Sequence, residues 1–151
     1  MNLTDAANAF TSMLHAIDAK NWDSVRHAFA DSVHMDYSSL FGDPAATVAA
    51  DDQVAGWRAF AGAFDVTQHI TGPIIATADG ADVTASTHVR AYHRIQGAEG
   101  GDVWMVAGHY DVRLTSFDGK WKIAAITLTV FYQEGNLAIP QIARDRAAAP
   151  R

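Results

Sequence analysis

The sequence contains no cysteine. Disulfides, thiolate nucleophiles and cysteine-ligated metals are therefore excluded, and the composition fits a reducing compartment. It also lacks any basic run: 11 Lys and Arg stand against 17 Asp and Glu, for a formal charge of −6. An acidic chain with scattered cations is a poor partner for nucleic acid. No apolar stretch approaches the ~20 residues of a membrane helix. The opening MNLTDAANAF has neither the basic start nor the apolar block of a signal peptide. A cytoplasmic protein without membrane association is expected. Missing too are GxSxG, a P-loop and GxGxxG, so hydrolase-elbow, nucleotide and dinucleotide readings lack support. No HExxH or comparable spacing predicts a metal.

What is present is apolar and regularly patterned. The 151 residues are 49% hydrophobic, enough for one domain with a real core, and no repeat or linker divides residues 1–151. The chain is organised around Val103–Tyr132, two long strands joined at Asp118-Gly119, a dipeptide suited to the positive φ angles of a tight hairpin. On the first strand, Trp104, Val106, Gly108, Tyr110, Val112 and Leu114 share one face. His109, Asp111, Arg113 and Thr115 share the other. The second strand is apolar on both faces beyond Ile123, which predicts cover on both sides. Gly108 in mid-strand suggests a bend.

Upstream, Thr4 is the expected cap of a helix whose Phe10, Met13, Leu14 and Ile17 recur at amphipathic spacing, with Asp18 at the stripe's edge. Asn21 caps a second helix, Ser32–Ser38 reads as a short strand, and Asp51 and Asp52 open a third helix bearing Val54, Trp57, Phe60 and Phe64. Tyr37 and Phe41 frame a turn-rich link between them. Val66–Thr71 is a strand ended by Pro73. Asp79-Gly80 then turns into Asp82–Gln96, where Val83, Ala85, Thr87, Val89, Ala91, His93 and Ile95 share a face. Residues 139–149 predict a short terminal helix. Helices followed by a meander of long strands indicate an α+β domain, three helices against a bent sheet, forming a cone whose open end suits a small molecule.

Of the seven histidines, His15, His27, His34 and His88 need no special role. His93 is different, because a polar ring on an apolar strand face requires a partner. Asp18 is the expected one, fixing the His93 tautomer and stabilising its imidazolium. His69 could face either way, and Tyr37 could reach the cavity. Two imidazoles, a carboxylate and a phenol suit removal of a proton beside a carbonyl and its delivery to a leaving hydroxyl.

At these residues the sequence resembles the scytalone dehydratases of the SnoaL-like, or nuclear-transport-factor-2-like (NTF2-like), superfamily. The pieces that carry it are DAKNWD from Asp18, MDY at Met35–Tyr37, TQHI at Thr67–Ile70, VRAYH at Val89–His93, Gly108-His109 and DGKWKI from Asp118. The resemblance implies a cone-shaped α+β barrel on a strongly bent, mixed or antiparallel sheet. It also implies cofactor-independent loss of water from a small hydrophobic or aromatic cyclic hydroxy-ketone. Carried over by position, His69 and His93 match the two catalytic histidines, Asp18 the acid that orients the second, and Tyr37 one of two tyrosines acting on the carbonyl. Where the family has the other tyrosine stands Ile17, and Gly108 and Tyr110 replace polar hairpin positions. Phe41, Trp57, Gly108, Tyr110 and Phe131 are expected to contact substrate.

Two other readings compete. A ketosteroid-isomerase-like or polyketide-cyclase-like enzyme would use Asp36 as its base. A non-catalytic ligand-binding domain would hold His69 and His93 too far apart to touch one ligand. A homo-oligomer, dimer or trimer, is expected through the outward sheet face. Phe131, Leu137 and Ile139 are the expected apolar residues of a C-terminal lid, with residues 136–151 as the tail.

Overall fold

The computed structural model describes residues 2–150. The elements run α1 (Leu3–Asp18), α2 (Trp22–Ala28), β1 (Phe29–Asp36), α3 (Ser38–Phe41), β2 (Ala46–Ala49) and α4 (Ala50–Phe60). A 3₁₀ turn (Ala61–Ala63) precedes β3 (Val66–Thr71), β4 (Ile75–Asp79), β5 (Asp82–Arg94), β6 (Val103–Phe117), β7 (Lys120–Gly135) and α5 (Ile139–Ala148). The strands form one bent, unclosed sheet in the order β2-β1-β7-β6-β5-β3, with β4 also on β5. Only β1 and β7 pair in parallel, so the sheet is mixed.

The central hairpin forms where the sequence places it. Asp118 and Gly119 both take positive φ, 49° and 72°, which matches the right-handed strand twist of a two-residue turn. The register of β6 on β7 shifts at Ala107/Gly108 and again at Arg113/Leu114. Such irregularities bend a long strand and increase its twist. At Gly108 a Cβ would lie 2.4 Å from the carbonyl oxygen of Thr129. Glycine there permits a close backbone approach.

Strand β5 serves two partners along one edge: Asp82–Ser86 pairs with β4 and Val89–Arg94 with β3. The break between them is Gly72-Pro73-Ile74, where proline cannot donate to the ladder. The buried Thr87 hydroxyl bonds the carbonyls of Gly72 (2.9 Å) and Pro73 (3.2 Å) and holds the corner.

The apolar stripe of α1 lies in the concave sheet face. Ala6, Phe10, Met13, Leu14 and Ile17 pack with Val83, Ala85, Val89, Tyr110, Val112, Leu114, Ile126 and Leu128. Burying each large side chain is worth about 1.5–3 kcal/mol, so this stripe fixes the helix across the cone. A second cluster, Phe64, Ile95, Trp104, Val106, Ile139 and Ala143, seats α5 over the far end of the sheet.

Several local expectations are corrected. The cap of α1 is Asn2, not Thr4: its Oδ1 accepts from the amides of Thr4 (3.0 Å) and Asp5 (3.2 Å). Asn21 does cap α2, accepting from Ser24 N. The link after Tyr37 contains the one-turn helix α3, and strands β2 and β4 are additional; both are short and mostly exposed, without an apolar run to mark them. The outer face of β7 is not covered by this chain, since Phe131 is 57% exposed. Among the described residues no helix is long and apolar enough to cross a membrane.

Candidate active site

Asp18 is the last residue of α1 and faces the edge strand β3. The helix ends because Lys20 takes the left-handed conformation, φ 55°. The Lys20 ammonium then donates to the carbonyls of Gly62 (3.2 Å) and Phe64 (2.6 Å), tying this helix end to the 3₁₀ turn. An unpaired edge strand presents free amides, and here the carboxylate accepts one of them. Asp18 Oδ2 accepts from His69 N at 2.8 Å. Its Oδ1 accepts from His69 Nδ1 at 2.7 Å and from the Thr67 hydroxyl at 2.9 Å. Burial pushes the Asp18 carboxyl up, but the bonds and charge interaction with His69, together with Thr67, outweigh it and hold the group below its ordinary 3.8. The ionised acid fixes the His69 proton on Nδ1 and leaves the Nε2 lone pair free.

This pairing corrects the expected one. Asp18 was assigned to His93, but antiparallel register places Thr67, not His69, opposite His93. His69 stands one step along the same face, within reach of the helix end. The His93 Nδ1–H donates instead to the Trp104 carbonyl at 3.2 Å. Its ring lies between Trp104, stacked at 4.3 Å, and Phe64 at 4.9 Å. Burial, and then the neighbouring His69, lower its pKa to about 4. His93 is therefore a neutral ring with its own free Nε2.

The two rings are 6.3 Å apart, centre to centre, and line the same cavity. They are close enough to touch one ligand, contrary to what the pure binding reading requires. Tyr37 and Tyr110 also line this cavity, with Trp57, Phe41 and Phe60 toward its mouth. Burial keeps both phenols protonated: Tyr37 is raised well above 10 and Tyr110 is pushed up to about 12. Ile17 is an apolar wall of the same cavity.

The structure brings Asp18, His69, His93, Tyr37, Tyr110, Phe41 and Trp57 together around this space, Asp18 through its bonds to His69. It does not bring Gly108 and Phe131 there. Both border a shallow outer-face groove with Ile70, His88 and Tyr132: Gly108 has no side chain to enter the cavity, and Phe131 is the extra residue of the bulge between Val130 and Tyr132. Of the expected lid residues, Leu137 is exposed (63%), whereas Ile139 is fully buried beneath α5. Asp36 is also outside the cavity. Its carboxylate accepts from the Ser38 amide (3.1 Å) and hydroxyl (2.6 Å), which hold its pKa below the ordinary value, the wrong direction for a general base.

Sequence reasoning missed Thr67, the Trp104 carbonyl and Phe64. Thr67 was readable: in TQHI it alternates with His69, so whichever way the histidine faces, the threonine follows. The other two act through tertiary proximity and carry no local signal.

The cavity measures about 100 Å³, the scale of a single six-membered ring by comparison with a roughly 150 Å³ protein cavity that admits benzene. Among the described residues no Lys or Arg lines it, so its inner part suits a neutral group. No cluster of metal-ligating side chains occurs among the described residues.

The SnoaL-like domain family matches residues 3–127. The chain belongs to that family. Its NTF2-like cone is shared with the Kfla4162 protein of Kribbella flavida, 30% identical, with TM-score 0.86 over 91% of this chain and 95% of that one. A Novosphingobium aromaticivorans protein provisionally named a scytalone dehydratase is 18% identical, with TM-score 0.72 over 88% and 86%. A hexachlorocyclohexane dehydrochlorinase (LinA type 2) is 14% identical, with TM-score 0.69 over 88% and 87%. The last two likenesses establish the fold alone. No curated protein matches the sequence.

Proposed function

We propose that this SnoaL-like protein is a cofactor-independent lyase that removes water from a small cyclic hydroxy-ketone. The observation that carries this reading is the Asp18–His69 dyad beside an apolar cavity also lined by Tyr37 and Tyr110. A carboxylate-oriented imidazole is a general base whose protonated form is stabilised by the neighbouring charge. A protonated phenol in an apolar cavity can stabilise a developing enolate oxygen.

The steps balance without a cofactor. His69 Nε2 takes the proton from the carbon beside the carbonyl, while the Tyr110 hydroxyl donates a hydrogen bond to the carbonyl oxygen. The enolate re-forms its carbonyl as the adjacent C–C bond becomes double and the β C–O bond breaks. The proton held by His69 goes to the departing hydroxyl, which leaves as water. One base serving both transfers requires both groups on one face of the ring. His93, neutral and pinned at Nδ1, positions the substrate by accepting a hydrogen bond from its hydroxyl at Nε2.

An isomerase using Asp36 loses its base to the surface. As part of the same proposal, the exposed Ile70, Phe131 and Tyr132 on the outer sheet face support self-association away from the cavity mouth.

The reading is tested by incubating the protein in deuterated water with cyclic β-hydroxy-ketones, following enone absorbance and α-hydron exchange. Enone formation that disappears in Asp18→Asn and His69→Ala is expected. Activity retained in either variant would remove the dyad from the mechanism.

A further inference from the structure

The catalytic cavity does not end at its aromatic mouth. A second, larger hollow of about 460 Å³ shares Tyr37, Phe41, Trp57 and Phe60 with it and continues outward between α3, β2 and α4. The two spaces differ in chemistry. The inner one has no cation in its wall, whereas the outer one is bordered by Arg144 of α5.

Arg144 lies against the aromatic lip of the mouth, and like Arg58 and Arg90 it is in no ion pair with a carboxylate among the described residues. Its guanidinium carbon lies 5.4 Å from the ring centre of Phe41 and 5.5 Å from that of Phe60, and these rings meet edge to face at 5.7 Å to make the lip of the mouth. Arg26, Arg94, Arg113 and Arg146 are each paired with an aspartate. Arg144 has no carboxylate within ion-pair distance among the described residues, although Asp43 borders the same hollow. Lying over the two rings uses none of its five N–H donors. The helix that carries it is firmly seated: Ile139 and Ala143 are fully buried, and Arg146, two residues on, bonds Asp65 at 3.0 Å. The fork is thus held at the mouth with its donors unspent.

We infer that Arg144 is a specificity-determining residue that binds a carboxylate on the distal arm of the substrate, while the ketone ring occupies the inner cavity. This rests on the proposed lyase reading for the placement of the ketone. The substrate is then a two-part molecule: a neutral ring about the size of the inner cavity, joined to a short arm that crosses the Phe41–Phe60 lip and ends in a carboxylate. Planar forked donors match a carboxylate in a way a lysine would not.

The experiment compares a cyclic ketone bearing a propanoate arm with the methyl ester of the same compound, by calorimetry on the full chain. Wild type is expected to bind the acid at least about tenfold more tightly than the ester, a preference of roughly 1.4 kcal/mol, shrinking as salt is added. In Arg144→Gln the acid-to-ester ratio is expected to fall to about one, and Arg144→Lys to restore only part of it, with melting temperatures confirming that both variants fold. Equal affinity for acid and ester in wild type, or a preference that survives Arg144→Gln, overturns the inference. Hydron exchange on the ester, measured in parallel, reports on the lyase reading separately. Acid preference without any exchange would sink that reading and leave the Arg144 site standing.

Discussion

The sheet carries two histidine pairs, one on each face, and their contrast is instructive. Inside, His69 and His93 stand 6.3 Å apart at 77°; outside, His88 and His109 stand 5.5 Å apart at 71°. Both pairs join neighbouring strands, and both have an aspartate nearby. The inner aspartate is the half-buried Asp18, which holds three hydrogen bonds and a fixed tautomer. The outer one is Asp111, 61% exposed at its side chain and 3.2 Å from His109 Nε2. An exposed pair of this kind is worth little because water competes for each partner. Ring spacing alone therefore does not make a site. The inner pair differs by its apolar wall, its anchored carboxylate and the nearby phenols.

The contrast breaks most sharply at the dyad. His69→Ala is expected to lower kcat/KM by about 10²–10⁴-fold, the usual worth of a general base. Asp18→Asn should approach the same loss, because the amide cannot stabilise the imidazolium. Stopped-flow enone formation measures both, and losses under about fivefold would contradict the assignment. Tyr110→Phe comes next, with a fall of about 10²-fold expected for removing one enolate donor.

His93 sharpens the comparison through stability. Its pKa is about 4 in the fold against 6.5 ordinarily, so the unfolded chain takes up the proton first. Stability should be unaffected above about pH 6.5, fall by up to about 3 kcal/mol as pH drops toward 4, and then level off with respect to this group. His93→Phe, which keeps an aromatic ring between Phe64 and Trp104, should lose that dependence. Asp18 contributes in a lower window: its depressed pKa adds stability above 3.8 that disappears only on further acidification. Urea unfolding at pH 7.5, 5.5, 4.5 and 3 separates the two.

Gly108→Ala should cost about 1–3 kcal/mol by forcing β6 and β7 apart, and an unchanged urea midpoint would refute the close-approach account. The smallest effect is expected on the outer face: His88→Ala with His109→Ala should leave turnover within about twofold. A tenfold loss there would mean that the two faces are not functionally distinct.

Much of this was legible beforehand. The alternation of β5 and β6, the heptad-like stripe of α1 and the Asp118-Gly119 turn determine which faces become interior, because side-chain period and turn chemistry are local properties. That is why His93, Tyr110 and Trp57 could be assigned to the cavity. Phe131 was misplaced because a bulge resets parity on β7, Gly108 because it has no side chain to enter the cavity, and β2 and β4 escaped because short exposed strands carry no pattern. The half-exposed face of β7 was misread for a related reason: an apolar run shows that both faces can be covered, not that this chain covers them.

By itself, the sequence determined an α+β cone with an apolar inner face, two imidazoles among its polar residues, and no cysteine or basic run to support other chemistries. Tertiary structure decided which histidine Asp18 would serve, since that depends on where the end of α1 meets an edge strand 51 residues further along the chain. It also decided that His93 would be neutral and that Arg144 would stand at the mouth. Partner choice, desolvation and the approach of distant side chains are set by three-dimensional proximity, and no local pattern encodes them.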